Sequence, residues 1–238
     1  MTSPESLFAS VLAAEPSRPL VTFYDDASGE RGELSARSLG NWVAKTHFLL
    51  LDSLGLGVGD AAFVDLPPHW ISVCALLGCW SAGLTVVDDP STAAVAFVSP
   101  ASLPRASGIP DTYAIAPASA AGGFGAGEPP AGAEDYVLSV RPQPDAWASV
   151  RFPGGPADPA IGDLSRRDVA AAAAHRAADL GLPAGARVLS ARAWTTPQDW
   201  IDTLLAPLSV GGSTVLVANA DQVLLGTRVQ QERVTNTV

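Results

Sequence analysis

A segment rich in glycine and proline, residues 152–162, contains Gly154, Gly155 and Gly162. Glycine lets a backbone approach a phosphate closely, so that its N–H groups can donate to the phosphate oxygens. Three prolines in the segment remove such donors, and Asp158 adds a negative charge. A turn beside a ligand and a plain structural turn are therefore both consistent with this composition.

Other side chains that could do chemistry are scattered along the chain. Lys45 is the single lysine, so phosphate binding would have to use arginines, backbone N–H groups or a metal ion. Asp88 and Asp89 follow a predicted strand, where they could face a ligand crevice or cap the turn into Pro90.

The histidines and cysteines give no metal motif. None of the histidines has the spaced Cys, Glu or second His of a zinc site; they are His47, His69 and His175. The sequence has no Gly-x-Ser-x-Gly elbow and no glycine-rich loop that ends in Lys-Ser or Lys-Thr. It therefore assigns no catalytic residue and no metal site.

Composition and charge limit the classes to which this protein can belong. The 238 residues are 47% hydrophobic, enough for one sizeable core or two small ones. The formal net charge of −10 argues against nucleic acid and anionic membrane surfaces as partners. No basic segment precedes an apolar one at the N-terminus, which favours a cytoplasmic protein. Glycines interrupt the apolar stretch 71–87, which predicts a buried helix and strand with reduced thiols at Cys74 and Cys79.

The hydrophobic pattern predicts an α/β fold with mostly parallel sheets flanked by helices, because strands and helices alternate along the chain. The predicted helices are 6–14, 36–54, one that starts after Pro68, 166–180 and 197–208. The predicted strands are 19–25, 61–66, 84–87, 95–98, one near Tyr113, 148–152, 188–191 and 214–218.

An Ala/Gly/Pro-rich stretch divides the chain. Residues 116–132 contain one charge, at Glu128, and cannot build a core, so residues 116–135 are predicted to form a loop or linker. This predicts a first α/β subdomain at residues 1–115 and a second α/β portion at residues 136–238. One continuous domain is the alternative.

Several segments, in order, resemble the N-terminal part of AMP-binding, adenylate-forming enzymes of the acyl-CoA synthetase type. Residues 54–60, Leu-Gly-Leu-Gly-Val-Gly-Asp, resemble that family's L-G-V-x-x-G-D, and residues 66–83 resemble L-P-N…A-x-x-K-A-G. The likeness continues at residues 18–21, 34–39, 165–169, 207–212 and 232–235, so it covers nearly the whole chain. A small actinobacterial family with distant similarity to these enzymes has the same character, and the chain resembles a member of it.

The resemblance implies a site for ATP or AMP with Mg²⁺. In the family, a Ser/Thr/Gly-rich loop that ends in Pro-Lys wraps the phosphates. Pro159 and Ala160 stand in the place of that Pro-Lys, and the hydroxyl residues of the loop are missing. The nucleotide-binding residues that the resemblance leaves are Gly154, Gly155 and Gly162.

The resemblance also places Trp194 in the acyl pocket. A tryptophan with Trp200 nearby in sequence more often belongs to the core. The family's carboxylate for Mg²⁺, its ribose-binding aspartate and its catalytic lysine are expected beyond the last residue of this chain.

These observations predict a truncated, degenerate adenylate-forming domain that binds a nucleotide or acyl ligand but does not complete ligation unaided. The alternative is a non-enzymatic protein that self-associates or binds a protein partner through an exposed apolar face. A third candidate, an unrelated small enzyme that uses Asp88, Asp89 or His69, rests on residue positions alone.

Overall fold

The computed structural model describes residues 3–116, 123–124 and 127–238. The chain forms two compact units. The first unit contains Met1–Leu39, Pro68–Trp70 and Arg166–Val238, and the second contains Gly40–Pro67 and Ile71–Ser165. The units interleave along the sequence, and the division into consecutive domains at residues 115 and 136 stays a prediction. Residues 117–122 and 125–126 of the predicted linker lie outside the described residues.

The strands of the described chain are short. They are β1 (Pro19–Asp25), β2 (Glu30–Ser35), β3 (Ala61–Asp65), β4 (Thr85–Val87), β5 (Val95–Val98), β6 (Asp111–Ala114), β7 (Glu134–Asp135), β8 (Pro159–Ile161), β9 (Leu164–Ser165), β10 (Arg187–Ser190), β11 (Ser213–Ala218) and β12 (Asn236–Thr237).

Helices separate most of these strands. They are α1 (Pro4–Ala14), α2 (Ala36–Phe48), α3 (Trp70–Ser81), α4 (Tyr136–Val140), α5 (Arg166–Asp179), α6 (Pro197–Trp200), α7 (Ala206–Ser209) and α8 (Gln222–Gln231). A π-helical turn at Leu49–Ser53 extends α2, and another at Ile201–Leu205 joins α6 to α7. Single 3-10 turns lie at Pro90–Thr92, Leu103–Ala106 and Trp147–Ser149.

The first unit contains a five-stranded sheet in the order β12-β10-β11-β1-β2. All its pairings are parallel except that of β1 with β2, which form an antiparallel hairpin. The central strands are apolar and buried, since β11 and β1 each bury four or more consecutive residues. The edge strand β2 instead alternates between half-buried and exposed residues, which suits a strand with one solvated face.

The second unit contains a seven-stranded sheet in the order β7-β6-β5-β3-β4-β8-β9. Its pairings are parallel apart from the β8–β9 hairpin, so the prediction of mostly parallel sheets flanked by helices is confirmed. Every residue of α3 is buried, and Cys74 and Cys79 on it are free thiols, as predicted.

The predicted strand at residues 148–152 is wrong. Trp147–Ser149 is a 3-10 turn, and residues 150–158 have no regular structure before β8 begins at Pro159. Phe152 is followed directly by two prolines and two glycines. These residues disfavour the continuous ladder of hydrogen bonds that a strand needs.

Candidate functional site

The glycine segment of the second unit closes on itself. The Gly155 N–H donates to Asp158 Oδ2 at 2.7 Å, and the Asp158 N–H donates to the Gly155 carbonyl at 3.1 Å. A carboxylate that accepts from a backbone N–H three residues earlier forms a compact turn. The chain's own carboxylate thus takes the Gly155 donor that the sequence offered to a phosphate.

The residues beside this turn are packed in place. Pro153 lies against Gly83, where an added Cβ would meet Pro153 Cγ at 2.9 Å. The ring of Phe152 lies 6.0 Å from that of Trp147 between centroids. Gly154 and Gly155 are both half-buried. The segment is therefore held by its neighbours within the second unit as well as by its own hydrogen bonds.

Ala160, which the sequence resemblance places where the family has a lysine, lies inside the unit. Ala160 is fully buried in β8, and its carbonyl accepts a hydrogen bond from Trp80 Nε1 at 2.9 Å. A lysine at this position would bury an ammonium group, which is costly without a partner. Gly162 lies in the turn of the β8–β9 hairpin with φ +50°, and its N–H donates to the Val86 carbonyl at 3.0 Å.

Lys45 has a structural role in the second unit. Its Nζ donates to the carbonyls of Arg141 at 2.9 Å and Gln143 at 2.6 Å, at the end of α4. A cation at a helix C-terminus satisfies carbonyls that have no partner within the helix and interacts favourably with the helix dipole. The single lysine of the sequence thus caps a helix rather than joining the glycine segment.

Taken together, these groups do not fit a triphosphate. Gly155 gives its N–H to Asp158, the Asp158 carboxylate brings a negative charge to the turn, and Ala160 replaces a lysine with a buried methyl group. Within the described ranges, no group of three or more His, Cys, Asp or Glu side chains could hold a metal ion.

Trp194 belongs to the first unit, whereas the glycine segment belongs to the second. Its indole is 8% exposed, and its Nε1 donates to Thr203 Oγ1 at 2.9 Å. Thr203 in turn donates to the Asp199 carbonyl at 2.6 Å, so the indole is anchored to the helical segment that contains Trp200. A place in the acyl pocket stays a prediction.

The remaining candidates are engaged in local structure. His69 is fully buried between the rings of Phe23 and Trp70, and burial lowers its pKa to about 3. Its Nε2 lies 3.7 Å from Glu30 Oε1. Asp89 accepts from the Ser91 N–H at 2.9 Å and begins the 3-10 turn there, which confirms the capping alternative.

His47 and Ser81 form a second buried contact, in the second unit. His47 Nδ1 lies 3.3 Å from Ser81 Oγ, and burial lowers the pKa of this histidine. Ser81 Oγ also donates to the Gly78 carbonyl at 2.9 Å, so its proton is used within α3. This pair resembles a nucleophile and base in residue type alone, because both side chains are almost completely buried.

A cluster of charges in the first unit had no signal in the sequence. Glu232 accepts from Tyr24 Oη at 2.5 Å, forms an ion pair with Arg31 at 3.1 Å, and forms another with Arg187. Arg228 pairs with Asp26 and lies over the Tyr24 ring, 4.2 Å from its centroid. The partners come from opposite ends of the chain, which periodicity and local motifs cannot detect.

Comparison with known proteins gives one close sequence relative. No family model matches the chain. A protein of Mycobacterium tuberculosis (strain ATCC 25618 / H37Rv) described as "TIGR03089 family protein" is 38% identical over 244 residues, which is 99% of this chain and 99% of that protein.

Solved structures show the same fold at low sequence identity. An anthranilate CoA ligase in complex with anthranoyl-AMP matches with a TM-score of 0.75 at 16% identity over 98% of this chain and 48% of the ligase. Mycobacterium smegmatis MbtA matches with a TM-score of 0.74 at 18% identity over 99% of this chain and 47% of MbtA. A Brucella canis acyl-CoA synthetase matches with a TM-score of 0.73 at 16% identity over 99% of this chain and 46% of the synthetase.

The chain thus spans about half the length of these enzymes. It has the α/β architecture of the N-terminal part of adenylate-forming enzymes, as the sequence resemblance implied. Among the residues that the structure describes, no helix is both long and apolar enough to cross a membrane.

Proposed function

The chain belongs to the TIGR03089 family, and from that premise we propose that it is a degenerate adenylate-forming domain, one that does not complete ligation by itself. Its fold is that of the N-terminal part of acyl-CoA ligases. Fold alone does not determine activity, which depends on the groups of the site.

The hydrogen bond from the Gly155 N–H to Asp158 Oδ2, at 2.7 Å, carries this proposal. A phosphate-binding loop works because its N–H groups point at the ligand and have no partner of their own. Here a carboxylate of the same turn accepts from Gly155, and a phosphate would have to displace it against its charge. Neither Ala160 nor Lys45 supplies a compensating cation, since the first is an alanine and the second caps α4.

We assign the residual ligand to the class of nucleoside monophosphates, acyl groups and acyl-adenylates. One structural neighbour is a complex with anthranoyl-AMP. Such ligands carry fewer phosphate charges than ATP and depend less on the glycine segment. Mg²⁺ would accompany ATP only, because it serves mainly to bridge and neutralise phosphate oxygens.

The test is pyrophosphate exchange between ATP and radiolabelled pyrophosphate, in the presence of anthranilate, benzoate and fatty acids of increasing length. The proposal predicts no exchange above the enzyme-free background for the purified protein. Saturable exchange with any of these acids, at a rate typical of enzymes, would refute it.

Variants at the turn test whether the hydrogen bond between Gly155 and Asp158 weakens ATP binding. Asp158→Ala frees the Gly155 N–H and removes the charge, so we expect ATP to bind measurably more tightly while exchange stays absent. Asp163→Ala removes an exposed aspartate from the neighbouring β8–β9 hairpin and is the matched control. If both variants change ATP binding equally, net charge rather than the Asp158 hydrogen bond is responsible.

A second candidate function is self-association without catalysis. Val223 and Leu224, in the first turn of α8, are 82% and 41% exposed. Adjacent apolar side chains with this exposure favour a contact with a second copy of the chain. Analytical ultracentrifugation of the wild type and of Val223→Ser/Leu224→Ser tests this, with Leu138→Ser as the control for an exposed leucine elsewhere. A wild type that stays monomeric at the highest concentration would remove this candidate.

A further inference from the structure

A cavity of about 280 Å³ opens in the first unit, beside the C-terminal half of α1. Its apolar walls come from two places in the sequence: Val11 and Ala14 on α1, and Leu208 and Val210 at the end of α7. Arg18 contributes a guanidinium to its lining. We call this cavity the Arg18 pocket. Its volume is near the lower end of the range for small-molecule sites.

Arg18 is fixed in this pocket by two turns. Its Nη1 donates to the Gly211 carbonyl at 3.0 Å, and its Nη2 donates to the Gly185 carbonyl at 2.7 Å. A guanidinium has further N–H donors in the same plane. In Arg18 these remaining donors have no hydrogen bond to any residue that the structure describes. The side chain is 25% exposed, so a ligand can reach them.

Contacts within the first unit hold the elements that form the walls of the pocket. The ion pair between Glu5 Oε2 and Arg166 Nη1, at 2.8 Å and with both side chains buried, fastens α1 to α5. The Gly185 N–H donates to the Val210 carbonyl at 2.7 Å, which joins the two turns that hold Arg18. A ligand would therefore meet a guanidinium that is already oriented, which reduces the entropic cost of binding.

The charge around Arg18 is only partly compensated. Glu15 Oε1 lies 3.7 Å from Arg18 Nη1, and the Glu15 side chain is 61% exposed. An ion pair this exposed and this long contributes little free energy. The carboxylate of a ligand could replace Glu15 and form the shorter bidentate contact that an arginine fork favours.

We infer that the Arg18 pocket binds a small carboxylate with an apolar body. Arg18 would accept the carboxylate, and the side chains of Val11, Ala14, Leu208 and Val210 would cover the apolar part. The site lies in the first unit, away in sequence from the glycine segment, and it goes beyond the proposed function. Its test does not depend on whether ATP binds.

The first experiment is calorimetric titration of the intact protein with hexanoate, benzoate, hexan-1-ol and inorganic phosphate. Hexanoate or benzoate should bind saturably. Hexan-1-ol should bind at least about tenfold more weakly than hexanoate, because it lacks the charge that Arg18 recognises. Phosphate should show no saturable binding, because it cannot use the apolar walls. A folded wild-type protein that binds neither carboxylate, or that binds hexan-1-ol or phosphate as tightly as hexanoate, would overturn the inference.

Variants locate the site. Ala14→Trp fills the pocket while leaving Arg18 in the sequence, and it should abolish hexanoate binding. Ala13→Trp places the same side chain on the neighbouring exposed position of α1 and is the matched control. Arg18→Lys keeps the charge but loses the planar fork, so we expect about a tenfold loss of affinity. Thermal unfolding checks that each variant is folded. Unchanged hexanoate affinity in folded Ala14→Trp would overturn the inference even if Arg18→Lys is unstable.

Discussion

The two units of this chain use their charged side chains in different ways. In the first unit, charges pair with one another across long stretches of sequence: Glu5 with Arg166 at 2.8 Å, and Asp202 with Arg176 at 2.8 Å. Each of these carboxylates is almost completely buried. In the first unit, charge therefore helps to hold distant elements together.

In the second unit Arg105 pairs with Asp65 at a partly exposed position, but other charged side chains bind the backbone. Asp158 accepts from the Gly155 N–H, and Lys45 donates to the carbonyls that follow α4. Asp135 accepts from the Val137 N–H at 2.8 Å and begins that same helix. These contacts satisfy turns and helix ends within the second unit.

This difference predicts which substitutions should lower the free energy of unfolding strongly and which should lower it only a little. Removing one member of a buried pair leaves an uncompensated charge, whereas removing a capping group exposes a backbone group to water. The predictions below test that ranking.

Arg166→Met should give the largest loss of stability. It leaves Glu5 buried without its partner, and burial already raises the pKa of Glu5 despite Arg166. We expect the free energy of unfolding to fall by about 3–5 kcal/mol. Urea denaturation measures this.

The control for this prediction is Arg167→Met, which changes an exposed neighbour on the same helix and should cost less than about 0.5 kcal/mol. The double variant Glu5→Gln/Arg166→Met should recover a large part of the loss, because no buried charge is left. A loss below about 1 kcal/mol for Arg166→Met would contradict the expectation that buried charge pairs of the first unit matter more for stability than the capping contacts of the second.

Acidification should cost about 2 kcal/mol of stability between pH 7 and pH 5 through His69 alone. Burial lowers the pKa of His69 to about 3, so the unfolded state binds a proton in this range and the folded state does not. The contribution of His69 to stability is therefore fully present above the ordinary histidine pKa, and it is lost as the pH falls towards 3. The lowered pKa of His47 acts in the same direction, and the raised pKa of Glu5 acts in the opposite one.

Urea unfolding at both pH values measures this effect. His69→Gln should flatten the pH dependence, although Glu30 and Asp25 lie close to the ring and keep their own charges. His175→Gln, at an exposed position of α5, is the matched control for replacing a histidine, and His69→Gln should flatten the slope more than it does. Equal slopes in all three proteins would show that His69 becomes protonated in the folded state.

Lys45→Met should have a smaller effect, about 1 kcal/mol. It removes the cation that caps α4 but leaves the carbonyls of Arg141 and Gln143 able to reach water. Lys45→Arg should restore most of the loss, because a guanidinium can donate to the same carbonyls. Chemical denaturation compares the three proteins, and a loss as large as that of Arg166→Met would contradict the ranking.

Asp158→Ala should have the smallest effect on stability, about 0.5 kcal/mol, because it opens one turn and leaves Pro153 packed against Gly83. Its expected consequence is functional, since it frees the Gly155 N–H. A change in melting temperature no larger than that of Asp163→Ala would fit this prediction, and a large loss would show that the turn supports the unit.

Local signals predicted much of the fold. Ser35 Oγ accepts from the Ser38 N–H at 3.1 Å at the start of α2, and Gly55 has φ +68° after its last turn; serine and glycine are residue types that favour these two helix ends. The apolar strands were also found, because burial on both faces gives a continuous run of apolar residues. The polar edge strand β2 was missed, since none of its residues is fully buried and the strand has no apolar run.

The site was predictable only in part. The glycines and prolines of residues 152–162 indicated a turn, and Asp158 was recognised as unfavourable for phosphate. That its carboxylate accepts from Gly155 depends on the backbone path, which spacing does not determine. The Arg18 pocket had no signal at all, because its walls come from residues about 200 positions apart and meet only in the folded unit.

The most direct test of the degenerate site is calorimetric titration of the wild-type protein with Mg²⁺-ATP, beside AMP and a non-hydrolysable acyl-adenylate analogue. The account predicts no saturable ATP binding below about 1 mM, which corresponds to a binding free energy weaker than about 4 kcal/mol, with any measurable affinity confined to AMP or the analogue. Micromolar binding of Mg²⁺-ATP by the wild type would contradict it, because the turn closed by Asp158 would then still bind a triphosphate.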